Sequence, residues 1–185
     1  MDKDNDKKDT VLEDFHKAIR VVPNWPKEGI IFRDFTPVFS DNDLTNNIVN
    51  YMSKNLEKVE FDAIAGLETR GYLFGILLAQ KLNKPFIPIR KAGKLPPPTN
   101  RIKYSLEYGS AEFEVVEGAF KKGWKVLIHD DLLATGGSAL AAAQLVVDSE
   151  ATVIGYQFVI VLNDLNGTKN IESKIKAPIY TLLEY

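Results

Sequence analysis

The sequence predicts an α/β protein: a mostly parallel, doubly wound sheet with helices on both faces and a β-hairpin loop over the ligand edge. Three observations carry this reading. Short apolar runs alternate with helical patterns, a βαβ rhythm that places crossover helices on the faces of a parallel sheet. Between Arg90 and Gly123 the rhythm breaks into hairpin-like alternation, and such an insertion overhangs the strand ends where open α/β sheets bind ligands. The chain has 185 residues, 45% of them hydrophobic, enough for a core without disulfide or metal staples. One domain over 10–185 follows, behind a tail at 1–9.

Residues 1–9 alternate acids and lysines with no apolar side chain after Met1, so they have nothing to bury and read as a disordered tail. Val11, Leu12, Phe15 and Ile19 then fall at helical spacing, and Thr10 with Glu13 fits a capping box at the start of a first helix. From Pro23 to Phe39 the chain carries Pro23, Pro26, Gly29 and Pro37 among aromatics, a structured connection with one short strand around Ile30 to Phe32. Leu44, Ile48, Tyr51, Met52 and Leu56 mark a second helix. Beyond it FDAIAG (61–66) reads as a buried strand, GYLFGILLAQKL as a helix, and FIPI (86–89) and VLIHD (126–130) as strands. SALAAAQLVVD then reads as a helix and TVIGYQFVIVL as a strand. IKYSLE and AEFEVV alternate as hairpin arms flanking Tyr108, Gly109 and Ser110.

Composition excludes several function classes. The 23 Lys and Arg against 25 Asp and Glu give a net charge of -2, which supplies no global field for a polyanion, so no nucleic-acid partner is expected. The absence of cysteine removes disulfides, thiolate metal sites and a cysteine nucleophile, and two histidines, His16 and His129, leave little for a histidine metal site. MDKDNDKKDT has no apolar signal region, and no segment approaches the roughly 18 apolar residues of a membrane span. A soluble cytoplasmic protein with no membrane partner is the corresponding expectation.

The chemistry concentrates in VLIHDDLLATGGSALAA, residues 126–142. An apolar strand ends in Asp130 and Asp131, a loop carries Ala134, Thr135, Gly136, Gly137 and Ser138, and an alanine-rich helix follows. The glycines permit close approach, Thr135 and Ser138 offer hydroxyls, and the helix start presents unsatisfied N–H groups: together an anion cradle. Successive strand residues point to opposite faces, so both acids reach one ligand only if the strand is already curling into its loop. Two carboxylates ahead of a phosphate cradle suit a ligand with a phosphate beside vicinal hydroxyls. A Gly-Gly turn alone is also an ordinary strand-to-helix connection, with Asp130 as strand punctuation and Asp131 as a solvated acid.

Residues 126–138 resemble the signature of type I phosphoribosyltransferases, which bind 5-phosphoribosyl-1-pyrophosphate (PRPP). Four further segments narrow the resemblance to the branch acting on adenine: PNWPKEGIIFRDFTPVF, IAGLETRGYLFG, FIPIRKAGKLPPPT and YSLEYG, in order through nearly the whole chain. The resemblance implies transfer of the phosphoribosyl group from PRPP to adenine, giving AMP and pyrophosphate, with Mg2+ bound mainly through PRPP and pyrophosphate and no direct protein ligand to it assigned. It also implies a homodimer. Asp130 and Asp131 would orient the ribose, and Ala134 to Ser138 would hold the 5'-phosphate. Glu68, Thr69 and Arg70 would form the pyrophosphate loop, joined by the cationic stretch of Arg90, Lys91 and Lys94. Glu107 would assist proton transfer and Tyr108 would pack on the reacting groups from a closing loop. Ile31, Phe32, Arg33 and Leu162 would contact adenine; Phe32 and Leu162 also read as plain core residues.

The sequence departs from that pattern in places. His129 stands where an apolar residue is usual, Ser138 replaces a threonine while keeping the hydroxyl, Pro96 to Pro98 form a triplet, and Val161 stands where an acid is expected. Two other readings therefore stay open: transfer to xanthine, guanine or hypoxanthine, and a non-catalytic PRPP or nucleotide sensor.

Overall fold

In the computed structural model, which describes residues 3–105 and 110–185, the chain divides into units Met1–Glu57 and Lys58–Tyr185. The single domain expected over 10–185 is accordingly described in two parts. In the first unit α1 (Lys3–Ala18) packs on α2 (Asn42–Asn55). The helix begins at Lys3, well ahead of the Thr10 cap, so most of the stretch expected as a disordered tail carries helical backbone. A helix already nucleated around the buried Phe15 propagates outward one hydrogen bond at a time and needs no apolar side chain to do so. Asp41 caps α2, accepting from the Leu44 N–H at 2.9 Å.

Between these helices lie β1 (Arg20–Pro23) and β2 (Ile31–Asp34), paired antiparallel from Arg20 opposite Asp34 to Pro23 opposite Ile31. The expected strand is thus shifted toward Asp34 and gains a partner. An ion pair between Arg20 and Asp34 at 2.8 Å ties the open end of the ribbon, and Trp25 meets the edge of Phe32 at 4.5 Å between ring centroids.

The second unit contains β3 (Ala63–Leu67), α3 (Gly71–Lys81), β4 (Phe86–Lys91), β5 (Thr99–Ser105) and β6 (Ser110–Val116). It continues with β7 (Lys125–Leu133), α4 (Gly137–Asp148), β8 (Thr152–Val161), α5 (Gly167–Glu172), β9 (Ile179–Tyr180) and β10 (Leu183–Glu184). The strand order is β10-β8-β7-β3-β4-β6-β5, with β9 also on β8. The strands from β10 to β4 run parallel, and β6 pairs antiparallel with β4 and β5. Every residue of β3 is buried, as expected for a strand covered on both faces. His129 faces α3 at Gly75, while its neighbour Ile128 belongs to the core that α4 closes with Ala139, Ala142 and Val146. The two helices therefore cover opposite faces. β5 and β6 form the expected hairpin arms, Tyr104 opposite Ala111.

Core packing sets the stability of this unit. Leu78, fully buried on α3, should cost about 2–5 kcal/mol when replaced by alanine, read as a lowered urea midpoint at unchanged slope. Val147→Ala, on the exposed side of α4, should stay within about 0.5 kcal/mol of the parent.

Candidate active site

The parallel sheet brings the end of β3 and the end of β7 to one edge, and a cleft of about 210 Å³ opens there. Arg70, Asp130, Asp131 and the stretch from Ala134 to Ser138 line it, as the sequence predicts, together with Phe158. The strand does not end at Asp130: β7 runs on to Leu133. The two acids nevertheless meet, because the Asp131 N–H donates to Oδ1 of Asp130 at 2.9 Å and folds that carboxylate back along its own strand. Gly71 admits it, since a Cβ there would stand 2.7 Å from Asp130 Oδ1.

The loop after β7 turns at Gly136, whose φ of 85° lies in the left-handed region. A Cβ at that position would meet the Gly167 carbonyl at 3.0 Å. No side chain caps α4 at Gly136, so its first-turn N–H groups stay available to an anion, and the helix dipole favours one. From behind, the Asn170 amide donates to the Thr135 carbonyl at 2.9 Å. From the hairpin side, β5 packs against α4 and sets Tyr104 beside Ser138.

Charge in the cleft is arranged in pairs. Arg70 Nε lies 2.8 Å from Asp131 Oδ2. Burial pushes both acids up; the adjacent Asp131 charge carries Asp130 well above the usual carboxylate range, whereas Arg70 holds Asp131 back toward its charged form. Beside this pair, Glu68 accepts from the Lys91 N–H at 2.8 Å and from Arg90 Nε at 3.3 Å. Burial works against the Glu68 charge, but these bonds more than offset it and its pKa is lowered. The Glu68–Thr69 peptide is cis. Tyr72 donates its hydroxyl to the Ile89 carbonyl at 2.8 Å, pinning the start of α3 to β4; burial and the Glu68 charge push its pKa up to about 12.

An uncapped helix start, a carboxylate pair and a cationic stretch thus meet at one sheet edge. Comparison with known proteins gives the family. Residues 42–178 match the phosphoribosyl transferase domain family. An adenine phosphoribosyltransferase of Candida albicans is 46% identical over 164 residues, 89% of this chain and 85% of that protein. That of Brachyspira hyodysenteriae is 46% identical over 167 residues, 90% and 96% of the two chains. The crystal structure of the enzyme from Thermoanaerobacter pseudethanolicus superposes with a TM-score of 0.90 at 41% identity, covering 94% of this chain and 99% of that one. The Saccharomyces cerevisiae enzyme, solved with adenine and an imino-altritol bisphosphate, gives 0.86 at 41% identity over 95% and 99%. This chain belongs to the adenine phosphoribosyltransferases. It is a PRPP-dependent pentosyltransferase, a glycosyltransferase of purine salvage.

Within that adenine phosphoribosyltransferase framework, Glu68, Thr69 and Arg70 lie between β3 and α3, and Arg90, Lys91 and Lys94 at the end of β4 and in the turn after it. The Glu68 to Arg90 contact joins the two groups. Glu107 and Tyr108 lie outside the described residues. Ile31, Phe32 and Arg33 are on β2 of the first unit. Leu162 follows β8, its N–H bonded to the Leu133 carbonyl at 2.9 Å, and does not line the cleft. Val161 is buried. Sequence reasoning missed Tyr104, Phe158, Asn170 and the buried Glu114. Tyr104 alone was signalled, by its place in YSLEYG; the others touch the site through contacts between distant segments.

His129, the residue ahead of the acid pair, is a core residue: it is fully buried against α3, and burial pushes its pKa down to about 4. Because the folded value lies below the unfolded value of about 6.5, its contribution is whole above pH 6.5 and is lost as pH falls toward 4. His129→Leu should remove about 3 kcal/mol of that acid sensitivity. Urea unfolding of both proteins from pH 7 to pH 4 would show it as a stability difference that changes with pH; a constant difference would contradict it.

Proposed function

We propose that, in transferring the 5-phosphoribosyl group from PRPP to adenine to give AMP and pyrophosphate, the chain divides its substrate among three groups of residues. The first-turn N–H groups and hydroxyls from Ala134 to Ser138 take the 5'-phosphate. Asp130 and Asp131 take the ribose hydroxyls, whose O–H groups donate to their carboxylate oxygens. Glu68, Thr69 and Arg70, with Arg90, Lys91 and Lys94, take the pyrophosphate. The single observation supporting this division is that Arg70, the acid pair and the cradle line one cleft. Ile31, Phe32, Arg33 and Leu162 are assigned to adenine on their sequence motifs.

The purine ring nitrogen attacks the ribosyl carbon as its bond to the pyrophosphate oxygen breaks, and the electron pair leaves with pyrophosphate. Glu107 takes the proton that the attacking nitrogen loses, and Tyr108 shields the oxocarbenium-like carbon from water. The described residues contain no group of three or more acids or histidines suited to a metal. Mg2+ would be held mainly through PRPP and pyrophosphate oxygens, with the carboxylates of Asp130 and Asp131 the hard oxygens that the cleft itself offers. When bound it neutralises charge on the leaving group. A homodimer is the proposed assembly, supported by the exposed Leu73 and Ile76 of α3, and the cytoplasm the proposed compartment; among the described residues no helix is long and apolar enough to cross a membrane.

Two measurements test this reading. Asp130→Asn with Asp131→Asn should lower kcat/KM by about a hundredfold or more while a cooperative thermal transition is retained, because the pair sits at the sheet edge rather than in the core. Near-full activity would sink the ribose assignment. Steady-state turnover with adenine, hypoxanthine, guanine and xanthine, each with PRPP and Mg2+, should show nucleoside monophosphate formation far faster with adenine than with the others. Turnover with a 6-oxopurine alone would reassign the base pocket, and PRPP binding without any turnover would favour the sensor.

A further inference from the structure

Glu114 occupies the centre of a row across three strands. β6 pairs with β4 and with β5, and Arg90 and Arg101 are its direct cross-strand partners, so the three side chains share one face of the sheet. Glu114 is fully buried, yet every side of its carboxylate is used. Oε1 accepts the N–H groups of Lys94 and Leu95, each at 2.7 Å. Oε2 lies 3.0 Å from Arg101 Nη2 and 3.5 Å from the Thr99 hydroxyl. Burial pushes such a group toward its neutral form, but the turn's backbone N–H groups and Arg101 outweigh it and keep the carboxylate charged.

The hairpin does not need this device, since its ladder of backbone bonds runs from Thr99 opposite Val116 to Ser105 opposite Ser110. What Glu114 holds is the turn after β4. That turn passes through Gly93 at a φ of 84°, and Ala92 is fixed to the Glu112 carbonyl at 2.9 Å. Arg90 Nη1 donates across it to the Lys94 carbonyl at 3.1 Å. Glu68 grips the start of the same stretch through the Lys91 N–H. One carboxylate therefore sits at each end of the segment that carries Arg90, Lys91 and Lys94.

We propose that Glu114 is a positioning residue for the pyrophosphate half of the reaction: it presets the turn at residues 92–95 so that Lys91 and Lys94 meet the anion in one arrangement. This rests on the reading that the cationic stretch takes pyrophosphate. A turn fixed in advance loses less conformational freedom on binding than a mobile one. The 5'-phosphate, held by residues 134–138 on another segment, gains nothing from Glu114.

The reverse reaction of the full chain, from AMP and pyrophosphate, separates the two halves. Glu114→Gln keeps the shape of the side chain but turns one accepting atom into a donor facing N–H groups. Its KM for pyrophosphate should rise roughly tenfold, with KM for AMP unchanged within about twofold. Lys94→Ala is measured beside it. If Lys94→Ala leaves KM for pyrophosphate unmoved, the pyrophosphate reading of the cationic stretch is itself wrong. If Lys94→Ala raises it while Glu114→Gln does not, or raises both KM values equally, the positioning role alone is overturned. Should Glu114→Gln fail to fold, Arg101→Gln, which removes the exposed partner, should give a smaller rise selective for pyrophosphate; no selective rise rejects the proposal.

Discussion

Parallel pairing of β3 with β7, from Ala63 opposite Val126 to Gly66 opposite His129, is the constraint on which the site depends. Two strands that run the same way end at the same edge, so the turn carrying Glu68, Thr69 and Arg70 arrives beside the acid pair near the end of β7. β4 is parallel to β3, Leu67 opposite Ile89, and delivers Arg90 and Lys91 to that edge as well. An antiparallel neighbour would have sent one set to the far side of the sheet. The close approach has a steric condition, met by Gly71: with a side chain there, Asp130 and the start of α3 would have to separate.

Juxtaposition creates an electrostatic problem that the chain solves by pairing. Arg70 is matched with Asp131 and Arg90 with Glu68. Under the proposed pyrophosphate role, anion binding at this edge would be an exchange in which substrate oxygens replace protein carboxylates around the guanidinium groups. A net charge of -2 says nothing of this, because cations and acids are interleaved within a few ångströms. Because Arg70 is paired with Asp131, the proposed ribose and pyrophosphate roles meet at one ion pair.

Most of the sheet was legible in the sequence because its strands are apolar runs closed by local signals. The cradle was legible for the same reason: Asp130, Asp131, Gly136 and Ser138 are near neighbours in the chain, and their chemistry follows from spacing. Three features were not. The end of β7 was placed at Asp130, because two acids look like a strand end; the side chain of Asp130 bonding the next N–H lets the strand continue. The start of α1 was placed at Thr10, because a capping box is a local pattern, whereas the helix is extended by packing at Phe15. The third, Glu114, reads as one of two alternating acids in AEFEVV, and nothing local distinguishes it from Glu112. Its burial is decided by the turn at 92–95, which is remote in sequence and folds over it.

The acid pair shows how such a site trades stability for ligand recognition. A carboxyl whose folded pKa is raised contributes stability only below its unfolded pKa, and that contribution is lost as pH rises through the folded value. With Asp130 shifted well upward by burial and by Asp131, the ligand-free protein at neutral pH carries a group that works against the fold. Its retention is intelligible from the ligand's side. In the proposed ribose role, two adjacent carboxylates of unequal proton affinity would meet the vicinal hydroxyls in a fixed geometry. Two equally charged neighbours would face a single arginine, while no charge at all would leave Arg70 without its partner. The raised Asp130 beside an Arg70-stabilised Asp131 is the arrangement that avoids both.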